Sequence, residues 1–304
     1  TVGARRWRMM GIETNDLLSP PPRPDSHNEN MMSSNGHTQP QITKTAGVQP
    51  AEYITVGVGT PQDVAGWVVE EAQICISVNG SELATFMASP HDLEPMALGF
   101  LANEGIIQTL DDIRHLHLSK SNCVDIWLHD TSFEKPRKFI ITAGCGGGVT
   151  FDDLSAEHEP LTAEAQATPE QLAELMRQTH LGAELYQQAR GIHTAVLATP
   201  TQILLQKEDI GRHNCLDKLR GAALLAGLET EGKILLTSGR VSSEMINKAR
   251  RLGTPIVCSR TSPTSLSVAL ADAWNITLVA YLRQDRMRIY THPERILDQK
   301  DSET

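Results

Sequence analysis

Strict alternation appears first at Ala72, Ile74, Ile76 and Val78, which puts four apolar side chains on one face of an extended run. Asn79-Gly80 follows and Leu83 to Met87 returns, the pattern of a tight hairpin. Tyr53 to Val58 is a strand-like run ahead of it. The period then changes. Leu93, Met96, Ala97, Phe100 and Leu101 recur at helical spacing, with Ser89 as the expected N-cap, Pro90 at the first helical position and Gly105 as the stop. Ile113 to Leu118, Cys123 to His129 and Lys138 to Thr142 return to β patterning.

From residue 168 the two periods alternate. Thr168-Pro169-Glu170-Gln171 reads as a capping box opening a helix that runs to about Ala189. Thr194 to Thr199 and Gln202 to Gln206 read as a β pair, and Asn214 to Ala226 as a helix. Lys233 to Thr237, Pro255 to Cys258, Ile276 to Leu282 and Met287 to Thr291 read as strands, with helices at Ser243 to Leu252 and Thr264 to Trp274. Such alternation predicts a mostly parallel sheet with helices on both faces. The expected class is α/β: a smaller N-terminal α+β domain over 52–152, a linker over 153–168, and a C-terminal α/β domain over 169–298. Residues 1–51, with Pro20-Pro21-Pro22-Arg23-Pro24 and a polar run after it, have little to bury and read as a disordered tail, as do 299–304.

Charge and cysteine content narrow the chemistry. The net charge of −10 is unevenly spread: residues 201–300 carry 15 Lys and Arg against 10 Asp and Glu, so the rest of the chain is strongly acidic. That argues against nucleic acid as a partner and leaves room for a local anion site in the last third. Five cysteines, an odd number without a C-x-x-C pair, argue against a disulfide framework and a four-cysteine zinc site. Those in apolar runs, such as Ile74-Cys75-Ile76 and Val257-Cys258, read as small buried hydrophobes in a reducing compartment. No apolar run approaches the roughly 20 residues that span a bilayer, so the expected location is the cytoplasm, without a membrane partner.

Two features carry candidate chemistry. Cys145 sits in Gly144-Cys145-Gly146-Gly147-Gly148, at the end of a β-type run. Glycines expose the thiol and line it with backbone N–H groups, which favour a thiolate; an ordinary glycine-rich turn would look the same. Three strand-to-helix junctions, Glu208 to Asn214, Thr237 to Ser243 and Ser259 to Ser265, each pair one arginine with residues able to cap a helix. Helix N-termini at the carboxyl edge of an α/β sheet bind anions, and arginine recognises phosphate bidentately. Tyr281-Leu282-Arg283-Gln284-Asp285-Arg286 adds a turn with two more arginines, which reads equally as a solvated hairpin. No G-x-x-x-x-G-K-[ST] is present, nor a strand-linked G-x-G-x-x-G.

Several stretches together resemble one family. They are Ser89-Pro90-His91-Asp92-Leu93-Glu94, the Cys145 loop, Glu208-Asp209-Ile210-Gly211-Arg212-His213-Asn214 with Asp217-Lys218, Ser238-Gly239-Arg240, Ser259-Arg260, and Tyr290-Thr291-His292-Pro293-Glu294-Arg295. The chain resembles the FdhD family of formate dehydrogenase accessory sulfurtransferases over residues 52–297. The resemblance implies a cytidine deaminase-like three-layer αβα fold for the second domain, without zinc. It implies that Cys145 takes a persulfide sulfur from a cysteine desulfurase of the IscS type and passes it to the molybdenum bis(molybdopterin guanine dinucleotide) cofactor, bound as substrate through Tyr281, Leu282, Arg283, Gln284, Asp285 and Arg286. Formate dehydrogenase would be the recipient, and the protein a homodimer. Many members carry a second loop cysteine where this chain has Gly148. A non-catalytic carrier or insertion chaperone of the cofactor, and an unrelated redox thiol protein, are the other readings.

Overall fold

The computed structural model describes residues 46–57, 59–136, 140–141, 149–150, 158–284 and 286–296. Its first strand starts earlier than the sequence pattern implied, inside the stretch read as a tail. β1 (Val48–Thr55) pairs antiparallel with β2 (Gln62–Val69) in a two-stranded ribbon. β2 escaped the pattern because Gly66 interrupts its β-formers. The Tyr53 ring lies against that glycine, where a Cβ would come within 2.7 Å of it.

A four-stranded sheet follows, in the order β4-β3-β6-β5, from β3 (Ala72–Val78), β4 (Ser81–Ala88), β5 (Ile113–Leu118) and β6 (Cys123–Leu128). Asn79 and Gly80 both take positive φ, 50° and 79°, as a two-residue hairpin turn requires. Ile74, Ile76, Val78, Val124, Ile126 and Leu128 point to one face, where α1 (Leu93–Asn103) covers them with Met96, Ala97, Phe100 and Leu101. Alternation therefore sends Cys75 and Cys123 to the opposite face. There they are half-buried, opposite each other on parallel strands, and joined by a disulfide; the expectation that Cys75 is a small buried hydrophobe fails for this reason. Cys215 and Cys258 are buried free thiols, as Cys258 was expected to be. β7 (Ile140–Ile141) and β8 (Val149–Thr150) pair antiparallel and bracket the glycine-rich loop, which lies outside the described residues.

The second sheet has the order β10-β9-β11-β12-β13-β14: β9 (His193–Ala198), β10 (Ile203–Asp209), β11 (Ile234–Thr237), β12 (Ile256–Ser259), β13 (Thr277–Ala280) and β14 (Arg288–Thr291). α2 (Pro169–Leu181) covers one face; α4 (Arg212–Leu225), α5 (Ser243–Leu252) and α6 (Ser265–Ala273) cover the other, giving three αβα layers. The sheet is mixed rather than mostly parallel: β11, β12 and β13 run parallel, while β9 and β14 run against their neighbours. β10 is antiparallel to β9, and β9 to β11, so β10 ends at the same edge as β11, β12 and β13. The Thr168 capping box forms as expected, but its helix stops at Leu181 and a short α3 (Glu184–Ala189) resumes the path.

Both sheets belong to one unit, Lys44–Thr304, and α1 crosses α4 at backbone contact. A Cβ on Gly99 would lie 1.8 Å from the Asp217 carbonyl oxygen, and one on Gly221 1.8 Å from that of Pro95. Around this crossing the buried aspartates and lysines are paired. Lys218 Nζ meets Asp209 Oδ2 at 2.7 Å with both side chains fully buried. Asp209 also accepts from the Ser89, Gly211 and Asn214 nitrogens, and Lys218 donates to the Ser89 carbonyl. Ser89 is thus a tie between the sheets rather than a cap, and α1 begins four residues later, after Asp92 in the left-handed region. Lys248 donates to both oxygens of Asp217 (2.8 and 2.7 Å), which also accepts from Asn103. Two carboxylates, Asp217 and Glu244, hold the Lys248 ammonium charged against its burial.

Two outcomes follow. In Gly221→Ala the gain in helix propensity is about 1 kcal/mol, but the new methyl overlaps backbone that cannot rotate away. The net loss should reach about 2 kcal/mol or more, read as a lower denaturant midpoint; an unchanged midpoint would mean the helices part freely. His213, beside Glu244 and Ser242, is pushed down to about 3 by burial first, with the Lys248 and Arg212 charges adding to it and Glu244 opposing. Its folded pKa lies below its unfolded one, so the unfolded chain binds the extra proton between about pH 3 and 6.5. Stability should be full above that window and fall on acidification. His213→Gln should flatten the decline of melting temperature between about pH 7 and pH 5; an identical slope in the variant would assign the decline elsewhere.

Candidate functional site

The carboxyl edge of the six-stranded sheet gathers chemistry from separate parts of the chain. β9 begins there with His193, and the segments leaving β10, β11, β12 and β13 begin there with Ile210, Ser238, Arg260 and Tyr281. Hydrogen bonds knit the segments together. Ser238 N donates to the Thr194 carbonyl (3.0 Å), and Thr194 N to Ser238 Oγ (2.9 Å). Ser259 Oγ donates to the Gly239 carbonyl (2.7 Å) and accepts from Thr261 N (2.9 Å). Tyr281 N then donates to the Thr261 carbonyl, and Arg283 Nη1 to that of Arg260 (2.5 Å).

Two adjoining clefts open at this edge, of about 380 and 320 Å³. They share Met176, His180, Arg260 and Arg283. The larger is rimmed by Arg177, Gln284 and Arg286 over an apolar floor that includes Leu282; the smaller runs past Tyr186, Ile192 and His193 to Ser238 and Thr261. Three guanidinium groups, those of Arg260, Arg283 and Arg286, around a partly apolar cleft suit a large anionic ligand, since arginine binds phosphate in a fixed fork and also stacks on planar groups; that of Arg177 is held bidentately by Glu174 (2.7 and 2.6 Å).

Arg260 Nη1 lies 3.2 Å from His180 Nδ1. A guanidinium only donates, so His180 accepts there and carries its proton on Nε2. Its pKa is lowered first by burial, then by the Arg260 and Arg190 charges. His193 is lowered by burial and by Arg212. Near neutral pH both rings add hydrogen-bonding capacity to the cleft but no further charge.

The stretch singled out in the sequence divides in this setting. Leu282, Arg283, Gln284 and Arg286 line the larger cleft, and Asp285 lies outside the described residues. Tyr281 takes φ 52°, a left-handed conformation that costs a non-glycine residue on the order of 1–3 kcal/mol. Its ring is covered by Arg288, with the guanidinium carbon 4.3 Å from the centroid. The three strand-to-helix junctions share the edge as proposed, but their arginines do not converge. Arg212 is buried, Arg240 is exposed, and of the three only Arg260 lines these clefts. Only Thr264 caps its helix with a side chain; Asn214 is drawn instead to Asp209 and the Met87 carbonyl. Sequence reasoning missed the contribution of α2 and α3. Arg177 and His180 lie three residues apart, beside the buried stripe of Leu172, Leu175, Met176 and Thr179, and that spacing was the signal.

Cys145 lies outside the described residues, between β7 and β8 in sequence. Thr150, 1% exposed, donates to Glu104 Oε2 at 3.1 Å, at the C-terminal end of α1.

Comparison with known proteins places this architecture. Residues 69–297 match the FdhD/NarQ family. The sulfur carrier protein FdhD of Bacillus subtilis is 36% identical over 235 residues, covering 75% of this chain and 90% of that protein. Its namesake in Halalkalibacterium halodurans is 38% identical over 241 residues, covering 77% and 89%. A crystal structure assigned as a formate dehydrogenase accessory protein from Desulfotalea psychrophila superposes with a TM-score of 0.67 at 28% identity, over 82% of this chain and 99% of that one. With the family matched over most of its length and its relatives covered almost completely, this chain belongs to the FdhD/NarQ family.

Proposed function

We propose that this protein is a sulfurtransferase serving formate dehydrogenase. Cys145 takes sulfur from the persulfide of a cysteine desulfurase and delivers it to the molybdenum bis(molybdopterin guanine dinucleotide) cofactor, its bound substrate. In the first step the Cys145 thiolate attacks the terminal sulfur of the donor persulfide. Cys145 becomes the persulfide and the desulfurase cysteine leaves as a thiolate. In the second the S–S bond of the Cys145 persulfide breaks: Cys145 leaves as the thiolate, and the terminal sulfur passes as sulfide to the molybdenum centre of the bound substrate, which supplies the two electrons and for which sulfur is a suitable soft ligand.

The observation that carries this reading is the arginine-rimmed cleft. A bis(guanine dinucleotide) ligand brings four phosphates and planar rings, and the cleft offers Arg260, Arg283 and Arg286 beside Met176 and Leu282. The names borne by the relatives, sulfur carrier and formate dehydrogenase accessory protein, support the same assignment. The working form would be a cytoplasmic homodimer. Gly148 in place of a second loop cysteine makes the relay a one-thiol relay.

Incubation with a cysteine desulfurase, pyridoxal phosphate and cysteine should add one sulfur, about 32 Da, to the intact protein. The gain should be removed by reductant and absent from Cys145→Ala. Unmodified wild-type protein beside an active desulfurase would favour the non-catalytic carrier. Arg260→Ala should weaken binding of guanosine diphosphate by roughly tenfold or more, the value of one charge-assisted hydrogen bond, and leave Cys145 loading intact. Equal affinity in the variant would move the ligand out of this cleft.

A further inference from the structure

Cys75 and Cys123 occupy the two central strands of the four-stranded sheet, paired in parallel register from Cys75–Cys123 to Val78–Ile126. The core residues of these two strands, Ile74, Ile76, Val78, Val124, Ile126 and Leu128, lie on the face packed against α1, and the disulfide stands on the other face. Around it are Gln73, Ser77, Asp125 and Trp127, all exposed or half-buried. A small polar thiol can therefore reach the bond without disturbing the core. The remaining described cysteines differ: Cys215 and Cys258 are fully buried, and burial pushes both thiols up. Thiolates attack and thiols do not, so these two are poor participants in exchange.

We propose that Cys75 and Cys123 form an exchangeable thiol–disulfide couple that equilibrates with low-molecular-weight thiols, a second sulfur site distinct from Cys145. Opening consumes two small thiols. The thiolate of the first attacks Sγ of one cysteine and expels the other as a thiolate, leaving a mixed disulfide. The second displaces the protein sulfur from that mixed disulfide. The protein gains two electrons and two protons, and the small thiols leave as their disulfide. Closing is the reverse, with the small disulfide as oxidant.

The couple acts on the part of the fold that meets the second sheet. The bond closes a segment of sequence separation 48, which contains β4, α1 and β5. α1 is the helix in backbone contact with α4, and Glu104 after its end accepts a hydrogen bond from Thr150 of β8. Opening the bond frees the unfolded segment more than the folded one, so the reduced protein is the less stable form. In a reducing compartment a disulfide of this kind is redox-sensing or catalytic rather than a permanent staple.

The test uses Cys145→Ala protein, so that the loop thiol does not enter the measurement. It is equilibrated with reduced and oxidised glutathione at graded ratios, then labelled with N-ethylmaleimide while folded and mapped by mass spectrometry. Two labels should appear together, on Cys75 and Cys123, as the ratio becomes reducing, and disappear when it is reversed. Melting temperature should follow the labels, lower by roughly 10 °C in the reduced form. Cys75→Ser/Cys123→Ser in the same background should melt like the reduced form at every ratio; if it fails to fold, the labelling stands alone. A pair that stays closed or stays open across the whole range overturns the proposal. So does labelling confined to Cys215 and Cys258. Neither result touches the sulfur transfer assigned to Cys145.

Discussion

The crossing of α1 over α4 is closer than any side chain allows. Gly99 and Gly221 bring each helix against a carbonyl oxygen of the other, and neither position has room for a methyl group. Such proximity removes water from the seam, so every charged group beside it needs a protein partner. The seam supplies them. Asp209 has Lys218 and three nitrogen donors, and Asp217 has Lys248 and Asn103. Removing one member would strand the other in a dry interior at a cost of about 3–5 kcal/mol. The paired charges therefore fix the register of the helices, while the apolar cores on either side provide the drive to associate.

The candidate cleft and the β7–β8 pair both connect to this seam. α4 follows β10, so Asp209 and Gly211 position the first junction of the carboxyl edge, and that edge carries the arginines of the cleft. At the other side, Glu104 lies just past the C-terminal end of α1 and accepts a hydrogen bond from Thr150 of β8. The cationic character of the cleft comes from Arg260, Arg283 and Arg286, which follow the ends of β12 and β13, while the α2 arginine, Arg177, is paired with Glu174.

Much of the fold was legible because local rules and tertiary packing agreed. The Asn79-Gly80 turn, the Thr168 capping box, and the helix bounded by Ser242 and Gly253 lie where their residues predict. The failures are equally specific. Ser89-Pro90 has the form of a helix start, yet Ser89 is claimed by Asp209 and Lys218, which lie more than a hundred residues away. β2 was hidden by Gly66, which makes sense only against the Tyr53 ring of the neighbouring strand. Cys75 was read as core because isoleucines flank it, although alternation in a one-sided sheet turns it outward to Cys123.

The site divides along the same line. Residue types and their order sufficed to pick out the arginine-bearing turn at 281–286 and the junctions of the sheet, since each is a local grouping whose chemistry shows in a few adjacent letters. Which arginines converge was a matter of three-dimensional path. The direction of β10, which two antiparallel pairings reverse twice, brought the Glu208 to Asn214 junction to the common edge. Burial then removed Arg212 from use as a ligand group in these clefts, while Arg177 and His180 arrived from a helix that sequence had treated as scaffold. Burial and convergence are properties of segments far apart in the chain, and no local pattern encodes which of several equivalent charges will face the same space.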